Sequence, residues 1–510
     1  MTTELNPPST DLSLRVEARR VRESACREAT QRGELGQFFT PAAIARVLAG
    51  MFDVPPPGAL RVLDPGAGVG SLTAALVDRA RDEGWPVTLD LTAVEVDGGL
   101  MRALEATLIE CEDLPLARSA TLHSADFITW GCEQLRGGLF AAEPELFDLV
   151  ILNPPYRKLN TDSADRRRLS SIGIEVTNLY AAFVALAARM LAPGGQLVAI
   201  TPRSFCNGPY FKAFRKELLA STALRRIHVF DSRDEAFRDT AVLQENVIFH
   251  LVKEVEQGSV VIESSSGGGS GLTHQRVVPF ERVVHPGDAN TIIHLVPDEA
   301  HADVAGRMGA LPCELPTLGV AVSTGRVVDF RVREHLRMEA GPGMVPLLYP
   351  THMRAGRVRW PVPGGKKANA LADAHETQKL LLPAGNYVLV KRFSSKEERR
   401  RIVASVLEKG DLPGARVAVE HHVNVFHNLN AGLPLEVAWG IAAYLNSTIV
   451  DLFFRQFNGH TQVNATDLRS LRYPSVDQLV ELGTAAREAE HDQNTIDLLV
   501  ERFVPSLTDA

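Results

Sequence analysis

Short apolar runs alternate with stretches of helical periodicity between residues 36 and 253, and this alternation constrains the fold more than any other feature. The predicted strands cover residues 61–64, 89–97, 147–153 and 194–202, and the predicted helices cover 71–80, 99–110 and 179–191. Alternation of this kind predicts an α/β fold, with a mostly parallel sheet and helices on both faces. Ligands of such sheets bind beyond the carboxyl ends of the strands. One shared rim is therefore predicted for the loops after residues 64, 95, 126 and 153.

The stretch VLDPGAGVGSL, residues 62–72, places three glycines between a predicted strand and a predicted helix. Glycine adopts positive φ and lets the backbone approach a ligand closely, so Gly66, Gly68 and Gly70 are typical of a cofactor loop. Their spacing departs from the GxGxxG dinucleotide fingerprint, and the chain has no GxxxxGK[ST] phosphate-binding loop. The loop therefore favours a ligand that is not held by its phosphates, with an NAD-type cofactor as the minor alternative.

Acidic residues stand at or near the ends of three predicted strands, at Asp64, Glu95 and Asp126. A carboxylate at such a position can accept both ribose hydroxyls of a nucleoside. Asp126 can accept the amino group of adenine, while Phe127 packs on the ring. Together with a loop that lacks a phosphate grip, these carboxylates favour S-adenosylmethionine, which carries an adenosine and an ammonium. Each acid by itself could equally be a turn former or a helix cap.

The sequence NPPY, residues 153–156, ends a predicted strand with an amide, two prolines and an aromatic ring. The exocyclic amine of adenine is a poor nucleophile, because its lone pair is delocalised into the ring. Two acceptors on its N–H groups would help it to attack a methyl sulfonium, and the side-chain oxygen of Asn153 and the carbonyl of Pro154 can supply them. The two prolines would hold the loop rigid, and Tyr156 could stack on the base. A glutamine amide poses the same chemical problem, so protein and RNA substrates stay open.

The length of 510 residues is too great for one ordinary core, so two or more domains are expected. The Ser/Gly tract SSSGGGSG, residues 264–271, is typical of a flexible linker. The predicted organisation is an N-terminal helical extension (1–32), a catalytic domain (33–262), a linker (263–272) and a second domain (273–510).

Charge is distributed unevenly along the chain. The net charge is −8, which argues weakly against nucleic acid, but residues 325–367 hold nine Lys or Arg against three Asp or Glu. A second basic cluster, KRFSSKEERRR, covers residues 391–401. An acidic chain with a basic second half is typical of an enzyme that docks DNA on one face, although an ordinary solvated surface has the same composition.

Composition and spacing exclude several classes of protein. The five cysteines lie far apart with no CxxC pair, which argues against a disulfide framework and for a reducing cytoplasm. The N-terminus has no signal-peptide core, and the longest apolar helical run, Leu179–Leu191, is too short to span a bilayer, so no membrane partner is expected. His421, His422 and His427 fit no zinc pattern, so no metal site is predicted.

NPPY, DPGAGVG (64–70) and GQFFTP (36–41) together resemble the amino-methyltransferases of DNA, in the adenine-N6 class of restriction–modification systems. The resemblance covers roughly residues 30–255. It implies a Rossmann-like S-adenosylmethionine-dependent methyltransferase domain, with a catalytic loop formed by Asn153, Pro154, Pro155 and Tyr156. The cofactor contacts that it implies are Phe38, Thr40, Pro41, Asp64, Gly66, Ala67, Gly68, Glu95, Val96, Asp126, Phe127 and Asn153. It further implies that Phe237, in the segment 234–251, backs a flipped adenine.

Scattered pieces of residues 318–475, among them STGRVVDF, VKRFSSKEERRR and the segment 445–468, resemble type II adenine methyltransferases of the PstI/BsuBI kind. This resemblance implies a mixed α/β target-recognition domain for double-stranded DNA, and a recognition site like CTGCAG. The residues expected to contact DNA are Tyr156, Phe237, Arg326, Arg354, Arg357, Lys391 and Arg392. A monomer is expected, and any cognate restriction endonuclease would be a separate chain, because nothing in the sequence resembles a nuclease core. Cytosine-N4 methylation and DNA binding without catalysis stay as alternatives.

Overall fold

The computed structural model describes most of the chain and divides it into two compact units, Met1–Pro297 and Asp298–Ala510. The described residues are 11–25, 39–136, 143–230, 246–265, 272–295, 299–394, 398–458 and 462–507. Two of the predicted site residues, Phe38 and Phe237, lie outside them. Each unit is described by itself below.

The first unit is built on a nine-stranded sheet with the strand order β3-β2-β1-β4-β5-β7-β6-β8-β9. Its strands are β1 Gly58–Pro65, β2 Val87–Glu95, β3 Ala117–Ser124, β4 Phe147–Leu152, β5 Leu191–Pro202, β6 Thr222–Phe230, β7 Asn246–Lys253, β8 Val260–Ser265 and β9 Leu272–Val278. The strands β1 to β5 pair in parallel, whereas β7 runs antiparallel to β5. The predicted α/β fold with a mostly parallel sheet is confirmed.

Helices cover both faces of this sheet. They are α1 Leu12–Ala25, α2 Ala42–Gly50, α3 Ser71–Asp82, α4 Met101–Glu112, α5 Phe127–Leu135, α6 Ala164–Ser171, α7 Leu179–Arg189, α8 Lys212–Ser221 and α9 Phe280–Val283. Successive residues of β4 face opposite cores, because side chains alternate along a strand. Val150 is buried in one core with Phe183 of α7, and Leu149 is buried in the other core with Leu76 of α3.

The N-terminal helix α1 belongs to the first unit rather than forming a separate extension. The backbone N–H and the hydroxyl of Ser13 both donate to Asp78 Oδ2 of α3, each at 2.6 Å. Arg15 Nε donates to Glu110 Oε2 of α4 at 2.8 Å. These contacts fasten α1 across two helices of the same face.

The boundary between the two units lies further along the chain than the sequence predicted. The strands on either side of the Ser/Gly tract, β8 and β9, pair antiparallel at the edge of the first unit's sheet, with Val260 opposite Val278. The predicted linker 263–272 therefore connects two strands of one sheet, and the compact unit continues to residue 297. A Ser/Gly composition indicates a flexible connection, but it does not tell whether strands or domains are connected.

The second unit contains a six-stranded sheet with the order β10-β20-β17-β18-β14-β13 and a five-stranded sheet with the order β11-β15-β12-β19-β16. Its strands are β10 Ala321–Thr324, β11 Leu336–Arg337, β12 Met344–Leu348, β13 Met353–Arg354, β14 Arg357–Val358, β15 Ala370–Ala372, β16 Leu381–Pro383, β17 Tyr387–Lys391, β18 Ala404–Leu407, β19 Arg416–Val419 and β20 Val423–His427. Most of these strands are short, and their pairing partners are distant in sequence.

Six α-helices complete the second unit in the residues that the structure describes. They are α10 Glu299–Gly309, α11 Leu435–Leu445, α12 Thr448–Phe457, α13 Ala465–Ser470, α14 Val476–Glu488 and α15 Gln493–Phe503. The helices α11 and α14 approach so closely that a Cβ on Gly440 would lie 2.0 Å from the Leu479 carbonyl oxygen, and one on Gly483 would lie 1.8 Å from the Glu436 carbonyl oxygen. In the described part of the chain no single helix is long and apolar enough to cross a membrane, and only the pair Leu435–Leu445 and Thr448–Gln456, bent by 58°, reaches that length and composition together.

Candidate functional site

A cavity of about 1000 Å³, open at its mouth, lies at the carboxyl ends of the parallel strands of the first unit. Its lining includes residues from every predicted loop: Gly66, Gly68, Glu95, Asp126 and Asn153. The shared rim that the sequence predicted is therefore present. A concave site at the strand ends of an open α/β sheet is typical of a cofactor pocket.

The glycine loop between β1 and α3 forms the floor of this pocket. Gly66, Gly68 and Gly70 have φ values of +76°, +60° and +84°, which side-chain-bearing residues rarely adopt. A Cβ on Gly70 would in addition lie 2.8 Å from Thr107 Cγ2. Gly66 N donates to the Val94 carbonyl of β2 at 2.7 Å, which fastens the loop to the neighbouring strand. The loop therefore presents backbone to the cavity where side chains would fill it.

Glu95, at the end of β2, connects the glycine loop with the next loop of the rim. Its Oε2 accepts from Gly68 N at 2.8 Å, and its Oε1 accepts from Asp97 N at 2.8 Å and from Val96 N at 3.0 Å. A carboxylate has about four acceptor positions, so one is left for a ligand hydroxyl. Burial raises the pKa of Glu95, because a low-dielectric environment disfavours the charged form.

Asp64 lies buried below the glycine loop and is not among the residues that line the cavity. Its Oδ2 accepts from Thr73 Oγ1 at 2.7 Å, while its buried Oδ1 accepts no hydrogen bond from the described residues. Burial raises the pKa of Asp64 to about 7. A cation bound nearby would favour the ionised forms of both Asp64 and Glu95. These carboxylate acceptors fit a ligand that carries positive charge and ribose hydroxyls.

Asp126 and Phe127, after β3, have structural roles as well as a place in the pocket lining. Asp126 is the N-cap of α5, and its Oδ1 accepts from Thr129 N at 2.8 Å. Phe127 is buried, with its ring centroid 4.9 Å from that of Phe183. Val96 also lines the cavity and is 58% exposed, so it offers an uncovered apolar face to a planar ring.

The NPPY loop stands beside this pocket, with the Asn153 amide held at both ends. Asn153 Nδ2 donates to Thr40 Oγ1 at 2.9 Å. Asn153 Oδ1 accepts from the Tyr156 hydroxyl at 3.0 Å, and that hydroxyl also lies 3.4 Å from the Ile200 carbonyl of β5. The carbonyl of Pro154 accepts no hydrogen bond from the described residues. Thr40 therefore acts on the catalytic loop as well as lining the cavity, while Pro41 is the N-cap of α2.

Several pocket residues were not predicted from the sequence. Among them are Phe39, Leu100, Arg157, Asp165, Leu179 and Phe183. Phe39 adjoins the predicted Phe38 in GQFFTP, so the motif contained a signal for it. Leu179 and Phe183 are four residues apart on α7, and this spacing is the same for a core face and for a pocket wall.

Two of the predicted DNA contacts, Lys391 and Arg392, lie at one end of the six-stranded sheet of the second unit. Lys391, the last residue of β17, lies opposite Val423, the first residue of β20. The backbone of Arg326 follows β10 at this end, but its Nη2 donates to Asn430 Oδ1 at 2.6 Å, beyond the other end of β20. Arg392 Nη1 donates to the His421 carbonyl at 3.2 Å. We call the following group the basic end of the sheet: Lys391, Arg392, Phe393, His421 and His422.

Arg354 and Arg357 pair with each other in the β13–β14 hairpin and are not part of the basic end. The Arg357 guanidinium carbon lies 4.5 Å from the ring centroid of Trp439, and its Nη1 lies 3.3 Å from Glu408 Oε1. Trp439 Nε1 donates to the same Glu408 oxygen at 3.0 Å. Arg357 therefore connects the sheet with α11.

Comparison with known proteins assigns the chain to a family. The Eco57I restriction-modification methylase family matches residues 102–237. The type II methyltransferase M.PstI of Providencia stuartii is 41% identical over 496 residues, which cover 96% of this chain and 97% of M.PstI. The chain belongs to the type II methyltransferases of restriction–modification systems. The type II methyltransferase M.BsuBI of Bacillus subtilis is 44% identical over 460 residues, which cover 89% of this chain and 90% of M.BsuBI.

Membership of the type II methyltransferases confirms DNA methylation with S-adenosylmethionine as the cofactor. The pocket fits this cofactor, because its lining combines the carboxylates of Glu95 and Asp126 with a backbone-lined floor and the exposed apolar side chain of Val96. Among solved structures, the type IIL restriction-modification enzyme MmeI in complex with DNA is 12% identical with a TM-score of 0.52, covering 97% of this chain and 72% of that one. This likeness shows a shared fold.

Proposed function

We propose that this type II methyltransferase transfers the methyl group to the N6 amine of an adenine that is flipped out of duplex DNA. The observation that carries the proposal is the NPPY loop, where Asn153 is held in place beside the cofactor pocket and the Pro154 carbonyl has no partner among the described residues. The adenine-N6 resemblance of NPPY and GQFFTP supports adenine over cytosine.

The side chain of Asn153 and the backbone of Pro154 accept the two N–H groups of the target amine and so favour a pyramidal, nucleophilic nitrogen. S-adenosylmethionine supplies an electrophilic methyl group when it is bound. Thr40 and Tyr156 hold the Asn153 amide before the substrate arrives, so little reorganisation is needed during the reaction. Burial raises the pKa of Tyr156, so its hydroxyl stays a hydrogen-bond donor and does not act as a general base.

Extrusion of the base from the duplex costs a few kcal/mol. Stacking on an aromatic ring returns roughly 1–3 kcal/mol per base. Tyr156 is partly exposed, and its ring centroid lies 6.3 Å from that of Tyr180, edge to face. We assign the stacking to Tyr156 and, on the family resemblance, to Phe237 on the opposite side of the base.

The remaining parts of the proposal concern partners. The enzyme acts as a monomer on double-stranded DNA in the cytoplasm, and a cognate restriction endonuclease is a separate chain. The second unit supplies the sequence recognition, with Arg326, Lys391 and Arg392 as contacts to phosphates or guanine edges.

The test is mass spectrometry of nucleosides from unmethylated DNA that has been incubated with the purified enzyme and isotopically labelled S-adenosylmethionine. We expect label in N6-methyladenine alone. Label in N4-methylcytosine would show that the methylated amine belongs to cytosine, and would contradict the proposed N6 amine of adenine. Label that stays out of DNA but enters added protein or RNA would contradict the proposed substrate.

A further inference from the structure

A fully buried carboxylate lies beneath two adjacent histidines at the basic end of the sheet. Glu420 has no solvent exposure, whereas the side chains of His421 and His422 are 27% and 40% exposed. His422 Nδ1 lies 2.6 Å from Glu420 Oε1, and His421 Nδ1 lies 2.5 Å from the same oxygen. The backbone N–H of His422 donates to Glu420 Oε2 at 2.9 Å. The carboxylate therefore hydrogen-bonds the His422 imidazole, whereas His421 Nδ1 lies against the same oxygen without the geometry of a hydrogen bond.

These contacts determine which ring nitrogen of each histidine is available to a ligand. Because both Nδ1 atoms face Glu420, the Nε2 atoms lie on the other edge of each ring. The ring centroids of His421 and His422 lie 4.0 Å apart. Both Nδ1 atoms are in direct contact with the carboxylate oxygen. An ion about 2.0–2.2 Å from each ligand atom would need these atoms further apart.

The backbone around Glu420 is held tightly. The loop after β10 passes so close that a Cβ on Gly325 would lie 2.2 Å from the Glu420 carbonyl oxygen. Gly325 N donates to the Val423 carbonyl at 2.8 Å, and His421 N donates to the Val327 carbonyl at 2.9 Å. The two histidines are thus mounted on rigid backbone, as a group that must hold a fixed direction requires.

The surroundings of the histidines fit a polyanion with planar bases. Lys391 and Arg392 lie at the same end of the sheet as the histidines. The Phe393 ring is 43% exposed, and its centroid lies 4.9 Å from that of His422. Cations, directional donors and an exposed aromatic ring together are typical of a nucleic-acid contact surface.

We propose that His421 and His422 read base edges of the DNA target through their Nε2 atoms, with Glu420 as the positioning residue. The carboxylate behind the imidazoles offsets positive charge, so the pair is poorly suited to holding phosphate by charge alone. The carboxylate instead fixes the direction in which the imidazole points. Direction matters at base edges, because the N7 and O6 acceptors of purines differ from base to base. The proposal rests on the DNA-methyltransferase activity of the family and not on which amine is methylated.

The test uses the full-length enzyme and duplexes that contain its recognition site or single-base variants of that site. The variants are His421→Ala, His422→Ala, the double variant and the isosteric Glu420→Gln. The matched control is Lys409→Ala, an exposed cation beyond the opposite end of the same sheet, where Leu407 lies opposite Tyr387. Methylation rates, DNA affinity at several salt concentrations and thermal stability are measured for each.

We expect the double variant and Glu420→Gln to reduce discrimination against single-base variants by roughly 10-fold or more. Affinity for S-adenosylmethionine, thermal stability and the salt dependence of DNA binding should stay at their wild-type values, and Lys409→Ala should resemble the wild type. Unchanged discrimination in the double variant would overturn the proposal. A salt dependence reduced by about one unit at unchanged discrimination would assign the histidines to phosphate and overturn it as well. Stoichiometric zinc in the purified protein, with DNA binding lost on chelation, would replace base reading by a metal site.

Discussion

The cofactor rim of the first unit and the basic end of the second unit differ in how they are built and in the charge that they carry. The cofactor rim of the first unit joins loops from consecutive parallel strands, with the buried carboxylate of Glu95 in its lining and that of Asp64 in the layer below. The basic end of the second unit joins pieces near residues 391 and 421, where the buried acid Glu420 lies beside two histidines. The first arrangement fits a cofactor that carries positive charge, and we propose that the second contacts DNA.

This comparison explains why one site was predictable and the other was not. In a parallel α/β sheet the topology sends every strand end to one edge, so DPGAGVG, Glu95, Asp126 and NPPY could be assigned to one rim from their order alone. The second unit has short strands in mixed parallel and antiparallel pairing, and most partners are distant in sequence, so no local pattern connects Lys391 and Arg392 with the segment at His421. Composition alone grouped Arg357 with them, because a count of charges cannot show that its guanidinium is stacked on Trp439.

The role of an individual acidic residue was also harder to predict than its position at the end of a strand. The sequence left open whether Asp126 is a helix cap or a cofactor ligand, and the structure shows the cap together with a place in the pocket lining. Asp64 was expected to contact the cofactor, but the structure places it under the glycine loop with Thr73 as a partner. An acid at the end of a strand can lie on the pocket surface or in the layer below it. The path of the following loop decides between these positions.

Among the variants that test this comparison, Asn153→Ala is expected to have the largest effect, on the methylation rate. Loss of the acceptor should lower the methylation rate by about 100-fold or more, the scale seen when one preorganised hydrogen-bonding group is removed from an active site. Asn160→Ala, an exposed asparagine beyond the NPPY loop, is the control. Single-turnover kinetics measures the rate, and DNA binding should persist because recognition belongs to the other unit. Lost DNA binding would indicate a structural role for Asn153 and would contradict the division of methylation and recognition between the two units.

Asp64→Asn should change how stability depends on pH. The folded-state pKa of about 7 lies above the ordinary value of 3.8, so the folded protein keeps a proton that the unfolded chain releases. Its contribution to the free energy of unfolding therefore falls as pH rises between these two pKa values, by about 1.4 kcal/mol for each pH unit. Urea unfolding without cofactor at pH 5 and pH 8 should show the variant gaining a few kcal/mol over the wild type at pH 8. Parallel pH profiles for the two proteins would show that Asp64 is ionised in the fold.

Glu95→Ala should weaken S-adenosylmethionine binding by about 1.5–3 kcal/mol, because it removes charge-assisted hydrogen bonds and the tie to Gly68 N. Isothermal titration calorimetry measures the dissociation constant, with the exposed Glu105→Ala as the control. Glu95→Gln keeps an acceptor and should lose less. An unchanged dissociation constant in Glu95→Ala would remove Glu95 from the cofactor site.

The smallest effects should separate two arginines of the second unit. Arg392→Ala should weaken DNA binding and reduce its salt dependence by about one unit, as loss of a phosphate contact does. Arg357→Ala should instead lower stability by about 1 kcal/mol, through the lost Trp439 stacking and Glu408 ion pair. Fluorescence anisotropy against salt and thermal unfolding distinguish the two outcomes. Equal loss of DNA affinity in both variants would extend the contact surface to the β13–β14 hairpin.

The central claim is that the first unit methylates and the basic end of the second unit chooses the sequence. The most direct measurement is modification-detecting sequencing of DNA from a methylation-free host that expresses either the wild type or the His421→Ala, His422→Ala double variant. The account predicts N6-methyladenine at one short motif for the wild type and at a wider set of related motifs for the double variant. The same single motif in both proteins, or a mark on cytosine, would contradict it.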